Sequence, residues 1–212
     1  MDPELTRLAV HLLALLIAIP VHEFAHALSA VKCGDDGPRR EGRLTIYPWD
    51  HFDALGAIFC VISAYTGFGL GWGKPVMVDP GRLRNPRWHM CLIAACGPFA
   101  NLLLALAFSV PFHARVVTDP TSGMGQVLFT FILVNLSLML FNLIPLGPLD
   151  GAKVVSAFLS YRQAGDFWAF QQRWGSLILM ALILLPPGRI VFGFLVGLPL
   201  VTILQWLLPG IR

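Results

Sequence analysis

The sequence predicts an all-α polytopic membrane protein. It should have a core of three long helices, a C-terminal helical hairpin, and a short β-prone or re-entrant insertion after the first helix. Three observations carry that reading. Of the 212 residues, 56% are hydrophobic and only 13% charged, where soluble domains carry about a quarter charged residues. Mean hydropathy is +0.70, and several apolar runs approach the roughly 20 residues that a bilayer requires. The runs are separated at Gly- and Pro-rich points, among them residues 33–40, 147–151 and 186–188. No repeat, low-complexity linker or soluble accessory module interrupts them. Residues 1–212 therefore read as one membrane-embedded domain, with a core over 5–160 and a hairpin over 175–208.

Taken in order, residues 5–31 form the first helix, which is apolar from 8 to 21 except for His11. Pro20 should bend it, because proline removes one backbone donor. The residues before it carry no net positive charge, so it reads as a retained membrane helix and not a cleaved secretory signal. Gly34, Asp35, Asp36, Gly37 and Pro38 make a turn. Residues 42–47 (G-R-L-T-I-Y) alternate weakly and are β-prone, ending at Pro48. Residues 53–70 are apolar but rich in Gly and aromatics, and 71–89 form a polar loop. Two clear spans follow, 90–111 and 124–146. Residues 152–174 are mixed and interfacial, and 175–185 with 190–208 make a hairpin around Pro186-Pro187-Gly188.

Charge decides between two topologies for residues 53–70. If they cross the membrane, the Lys and Arg residues divide nine to six; if they dip in and return, the split is 12 to 3. Positive residues gather in the cytoplasm, which favours the re-entrant arrangement. It also puts the chemistry described below on the cytoplasmic side of a cell membrane. A net charge of +3 without a basic, aromatic-interleaved cluster gives no reason to expect nucleic acid. The four cysteines show no C-x-x-C spacing, so neither a disulfide nor a second metal site is assigned. Trp49, Trp72, Trp88, Trp174 and Trp206 fit an interfacial aromatic belt.

The chemistry concentrates at His22-Glu23-Phe24-Ala25-His26. Positions i and i+4 return to one helix face, so two imidazoles can share one Zn²⁺ while the adjacent carboxylate acts on water. A catalytic zinc needs a third ligand and an open position. The stretch Asn142-Leu143-Ile144-Pro145-Leu146-Gly147-Pro148-Leu149-Asp150-Gly151 offers one. An acidic residue next to an apolar span is costly and usually functional, and Pro145 and Pro148 open the backbone.

HEFAH followed far downstream by N-x-x-P-x-x-P-L-D-G resembles the site-2 protease family of intramembrane zinc metalloproteases. Gly97-Pro98-Phe99-Ala100-Asn101 is similar to the G-x-x-x-N element of the helix between the two metal-bearing helices. The resemblance covers roughly residues 8–160. Gly42-Arg43-Leu44-Thr45 and Gly73-Lys74-Pro75-Val76 look closest to the compact prokaryotic branch without PDZ or CBS domains. It implies that His22, His26 and Asp150 bind one zinc ion and that Glu23 is catalytic. Asn142 takes the place of a residue that helps hold substrate or the transition state, and Asn101 is a candidate for substrate contact. The implied activity is hydrolysis of peptide bonds in or near transmembrane segments of membrane protein substrates.

The substrate must be extended to be cut, whereas a lipid-facing helix satisfies its backbone internally. The β-prone 42–47 segment is therefore a candidate for pairing with unwound substrate. A non-catalytic zinc-binding scaffold or chaperone is the rival reading, and Glu23 weighs against it. A metal transporter would spread ionisable residues along its spans, whereas here they gather at one site.

Overall fold

The computed structural model describes residues 2–52 and 73–208, together with Gly56, Ile58, Val61 and Tyr65 between them. Among these residues the secondary structure is helical throughout. Most of the 53–70 stretch, and with it the choice between spanning and re-entry, lies outside the described residues.

Helix α1 runs Pro3–Cys33. Asp2 caps it by accepting the Glu4 N–H, and Pro3 sits in the first turn, where its missing donor costs nothing. Gly34, at φ 118°, closes it with N–H bonds back to the last turn. The helix continues through the buried Pro20. After the one-turn α2 (Gly37–Arg40), residues 42–47 form no strand. Among the described residues no strand lies beside them, and side chains take some of the backbone groups instead. His51 Nε2 bonds the Thr45 carbonyl, Thr45 Oγ1 accepts the Tyr47 N–H, and buried Arg43 donates to the carbonyls of Asp50 and Pro75. Residues 73–79 likewise form neither helix nor strand. They are tied to α1 through buried Asp35, which accepts the Asp79 N–H.

Helix α3 (Pro86–His113) and helix α4 (Gly123–Asn142) pack on each other and on α1. Hydrocarbon solvates apolar side chains as well as a protein does, so close helix contact needs small residues. Ala14, Ala18, Ala27 and Ala30 on α1 and Ala94, Gly97 and Ala105 on α3 are all buried. Against the alanines of α1 lie Phe131, Val134 and Leu138 of α4.

Helix α4 ends at Asn142, and a broken segment leads to the short α5 (Asp150–Ser156). The first turn of α5 lies directly on the end of α4. A Cβ on Gly151 would stand 2.2 Å from the Leu143 carbonyl oxygen, so only glycine fits. Arg87, between the rings of Trp88 and Tyr161, donates to the carbonyls of Ala157 and Leu159 and ties α3 to the turn after α5.

Helix α6 (Tyr161–Phe170) opens with a capping box on Ser160 and Gln163. It does not stop near Trp174, as the sequence suggests. A π-turn over Gln171–Gly175 carries it into α7 (Ser176–Leu184), because Gly175 takes helical dihedrals. Leu185 then turns extended before Pro186, which starts α8 (Pro186–Phe192). A second π-turn, Gly193–Gly197, joins α8 to α9 (Leu198–Leu207). Among the described residues, four helical stretches are long and apolar enough to cross a membrane: Glu4–Cys33, Pro86–His113, Gly123–Asn142 and Pro186–Leu207.

Candidate metal centre

His22 and His26 lie one turn apart on α1, and Asp150 is the first residue of α5. All three are buried. His22 Nε2 and His26 Nε2 are 3.0 Å apart, and Asp150 Oδ2 stands 3.2 Å from the first and 3.1 Å from the second. The structure thus gathers these three into one cluster.

The other ring nitrogens explain why the cluster suits a cation. His22 Nδ1 lies 2.6 Å from Asn101 Oδ1, and His26 Nδ1 lies 2.7 Å from the Ile93 carbonyl oxygen. Both partners only accept, so each Nδ1 carries the proton and each neutral Nε2 presents a bare lone pair. Two imidazole lone pairs and a carboxylate oxygen then point at one another, an arrangement that repels unless a positive ion stands among them. A tetrahedral zinc with arms of about 2.0–2.1 Å holds its ligands about 3.3 Å apart, close to the separations observed. The donors fit the metal in type, number and spacing.

Asn101 is fully buried on α3, and each of its polar groups is committed. Its oxygen accepts from His22, while its Nδ2 donates to the Ala18 carbonyl at 3.2 Å and to Asn135 Oδ1 at 3.0 Å. Asn135 on α4, also fully buried, donates in turn to the Phe131 carbonyl. No polar group of Asn101 is left over for a substrate, and its neighbour is a histidine. Gly97, one turn earlier, lets α3 pass over the imidazoles. A Cβ there would stand 2.4 Å from His26 Nε2 and 2.7 Å from His22 Cε1.

Lys153 Nζ sits 3.2 Å from Asp150 Oδ1, one helical turn along, so the two carboxylate oxygens face different partners. Glu23 is half-buried beside the cluster and is not among the three donors. Its Oε2 accepts the Val76 N–H at 3.1 Å, so the 73–79 segment brings backbone to the site. Asn142 ends α4 and donates Nδ2 to the Leu138 carbonyl, apart from the donor cluster.

Asn135 stands out in the sequence as an asparagine within a span and Val76 as the end of the G-K-P-V element, but neither shows there its link to the site. An asparagine inside a span signals only interhelical bonding, and a backbone N–H carries no sequence signal at all. Lys153 was accessible from its i+3 spacing to Asp150.

Residues 113–186, which include Asp150 and the broken segment before it, match peptidase family M50. The chain is 36% identical over 149 residues to YwhC of Bacillus subtilis (strain 168), provisionally named a zinc metalloprotease; the match covers 68% of this chain and 66% of YwhC. It is 27% identical to Rip2 of Mycolicibacterium smegmatis, over 81% of this chain and 65% of that protein. It is 29% identical to Rip3 of Mycobacterium tuberculosis, over 93% of this chain and 43% of that protein. Both carry the same provisional name. The chain thus spans just under two thirds of the length of the first two relatives, and less than half of the third. No solved structure matches it significantly. With zinc in the names of these relatives and a zinc-fitting donor set in the fold, the chain belongs to peptidase family M50, the site-2 protease family of zinc metalloproteases.

Proposed function

We propose that this protein is a zinc-dependent endopeptidase that hydrolyses peptide bonds in or near the transmembrane segments of membrane proteins. The observation that carries the proposal is the convergence of His22 Nε2, His26 Nε2 and Asp150 Oδ2 beside a carboxylate, Glu23, that is not one of the donors. A purely structural site has no use for that base. In this reading residues 1–212 act as one membrane-embedded unit, with α1, α3 and α4 as its core and α7 to α9 as its C-terminal hairpin.

His22, His26 and Asp150 hold the metal. Asn101 and the Ile93 carbonyl fix the two rings in the tautomer that leaves Nε2 free. Zinc, when bound, supplies Lewis acidity that acidifies water and polarises the scissile carbonyl. Glu23 takes a proton from the attacking water as its oxygen bonds to the carbonyl carbon. The C–N bond breaks, and the same carboxyl returns the proton to the leaving amine. Val76 must release Glu23 Oε2 for this, or share it. Asn142 has one Nδ2 proton committed to Leu138 and keeps the other for a substrate carbonyl. The basic residues of the short loops support a site that faces the cytoplasm of a cell membrane.

The test is co-expression of wild type and Glu23→Gln with a panel of tagged single-span membrane proteins. A fragment made only by the wild type is expected. If neither makes a fragment while both purify with one equivalent of zinc, the protein is a zinc-bearing scaffold and the proposal falls.

A further inference from the structure

The segment that delivers Asp150 to the cluster leaves helix α4 with its backbone unpaired. Pro145 and Pro148 prevent it from continuing as helix, so the Pro145 carbonyl and the Gly147 N–H have no partner within it. Both are taken by one side chain 24 to 26 residues later. Gln171 Nε2 donates to the Pro145 oxygen at 2.8 Å, and Gln171 Oε1 accepts the Gly147 N–H at 2.9 Å. A primary carboxamide has a donor and an acceptor side by side, as a peptide group does. Here it bonds residues i and i+2 of the loop as a neighbouring strand would.

Gln171 is 5% exposed, and it opens the π-turn between α6 and α7. π-turns displace side chains from the regular helical positions and recur at functional sites. The far end of this turn also presses on the loop, since a Cβ on Gly175 would stand 2.8 Å from the Gly147 oxygen. Below it, Leu179 of α7 and Val196 pack with Ile144 and Leu149 from the two ends of the loop. The C-terminal part of the chain, which carries no recognisable motif, thus holds both ends and the middle of the segment leading into Asp150.

We infer that Gln171 is a positioning residue for the metal centre: its carboxamide fixes the 145–147 arc and so sets where Asp150 Oδ2 stands between the two imidazoles. The inference rests on the cluster being a metal site and is independent of whether the protein cuts peptides.

The experiment uses the full chain purified in detergent, loaded with zinc or with cobalt as a spectroscopic probe. Gln171→Met keeps the length and removes both hydrogen bonds. It is expected to weaken zinc binding about 10- to 100-fold in chelator competition, as outer-shell partners of metal ligands typically do, and to shift the visible bands of the cobalt form. The metal-free protein should melt somewhat lower, since the Pro145 carbonyl and the Gly147 N–H lose their partner; the change in affinity and spectrum is the readout that a merely structural role would not give. Gln171→Glu keeps the acceptor and loses the donor, and should fall between. Gly175→Ala crowds the same contact from the other side, its Cβ standing 2.8 Å from both Gln171 Oε1 and the Gly147 oxygen, and should move affinity and spectrum in the same direction, which keeps the inference testable if Gln171→Met does not fold. Wild-type affinity and an unshifted cobalt spectrum in the Gln171 variants, or in Gly175→Ala should Gln171→Met not fold, overturn it. So does a fall in metal-free melting temperature with affinity unchanged. His22→Ala serves as the control: if it still binds one equivalent of zinc, the metal reading itself has failed.

Discussion

Asn101 gives its oxygen to His22 and its amide protons to Ala18 and Asn135, so removing it strands three partners at a depth where no water replaces it. Leaving a buried polar group unpaired costs about 1–3 kcal/mol. Asn101→Ala should therefore lower stability by about that amount and weaken zinc binding roughly 10- to 100-fold, read by denaturation and chelator competition. Asn135→Ala should act in the same direction with a smaller effect, because it touches His22 only through Asn101. Gly97→Ala is a sharper test. Its methyl would occupy the space of the His26 ring edge, so the purified variant should carry well under one equivalent of zinc by metal analysis. The metal motif is legible in sequence because i and i+4 share a helix face. The role of Asn101 is not, because it depends on which neighbour α3 meets when it crosses α1.

At the scale of elements, the long helices could be read from apolar length. Residues 90–111 and 124–146 correspond to α3 and α4, with differences at the ends. Helix α3 starts earlier, at Pro86, since a proline at the first position is already in helical geometry. Helix α4 stops at Asn142, before Pro145. The 42–47 segment shows the limit of such reading. Alternation signals a strand only if a partner exists, and among the described residues the segment is met by side chains, with His51 on the Thr45 carbonyl and Thr45 Oγ1 on the Tyr47 N–H. Gly175 shows the same limit from the other side: it looks like a break, and a π-turn runs straight through it. The junction of α4 and α5 depends on Gly151. Gly151→Ala should cost about 1–3 kcal/mol, the usual penalty for overpacking, and reduce zinc content, since α5 must lift off Leu143 and take Asp150 with it. Thermal melting with parallel metal analysis checks both.

For the molecule as a whole, the zinc ligands join the first long helix to a helix that begins at residue 150. A ligand that binds only the folded state stabilises it by mass action. Chelator treatment should lower the melting temperature in detergent, and added zinc should restore it. In the proposed topology the broken segment before Asp150 faces the cytoplasm. A single cysteine introduced at Leu146 in a cysteine-free background should therefore react with a membrane-impermeant reagent only in inside-out vesicles; labelling from the outer face alone would reverse the topology.

The wide spacing of the ligands along the chain also matters during synthesis. His22 and His26 precede Asp150 by 128 and 124 residues. At about 5–20 residues per second, roughly 6–25 s of translation separate them. Two imidazoles without their carboxylate partner make an incomplete site, so this spacing keeps the cluster from forming until Asp150 has been made.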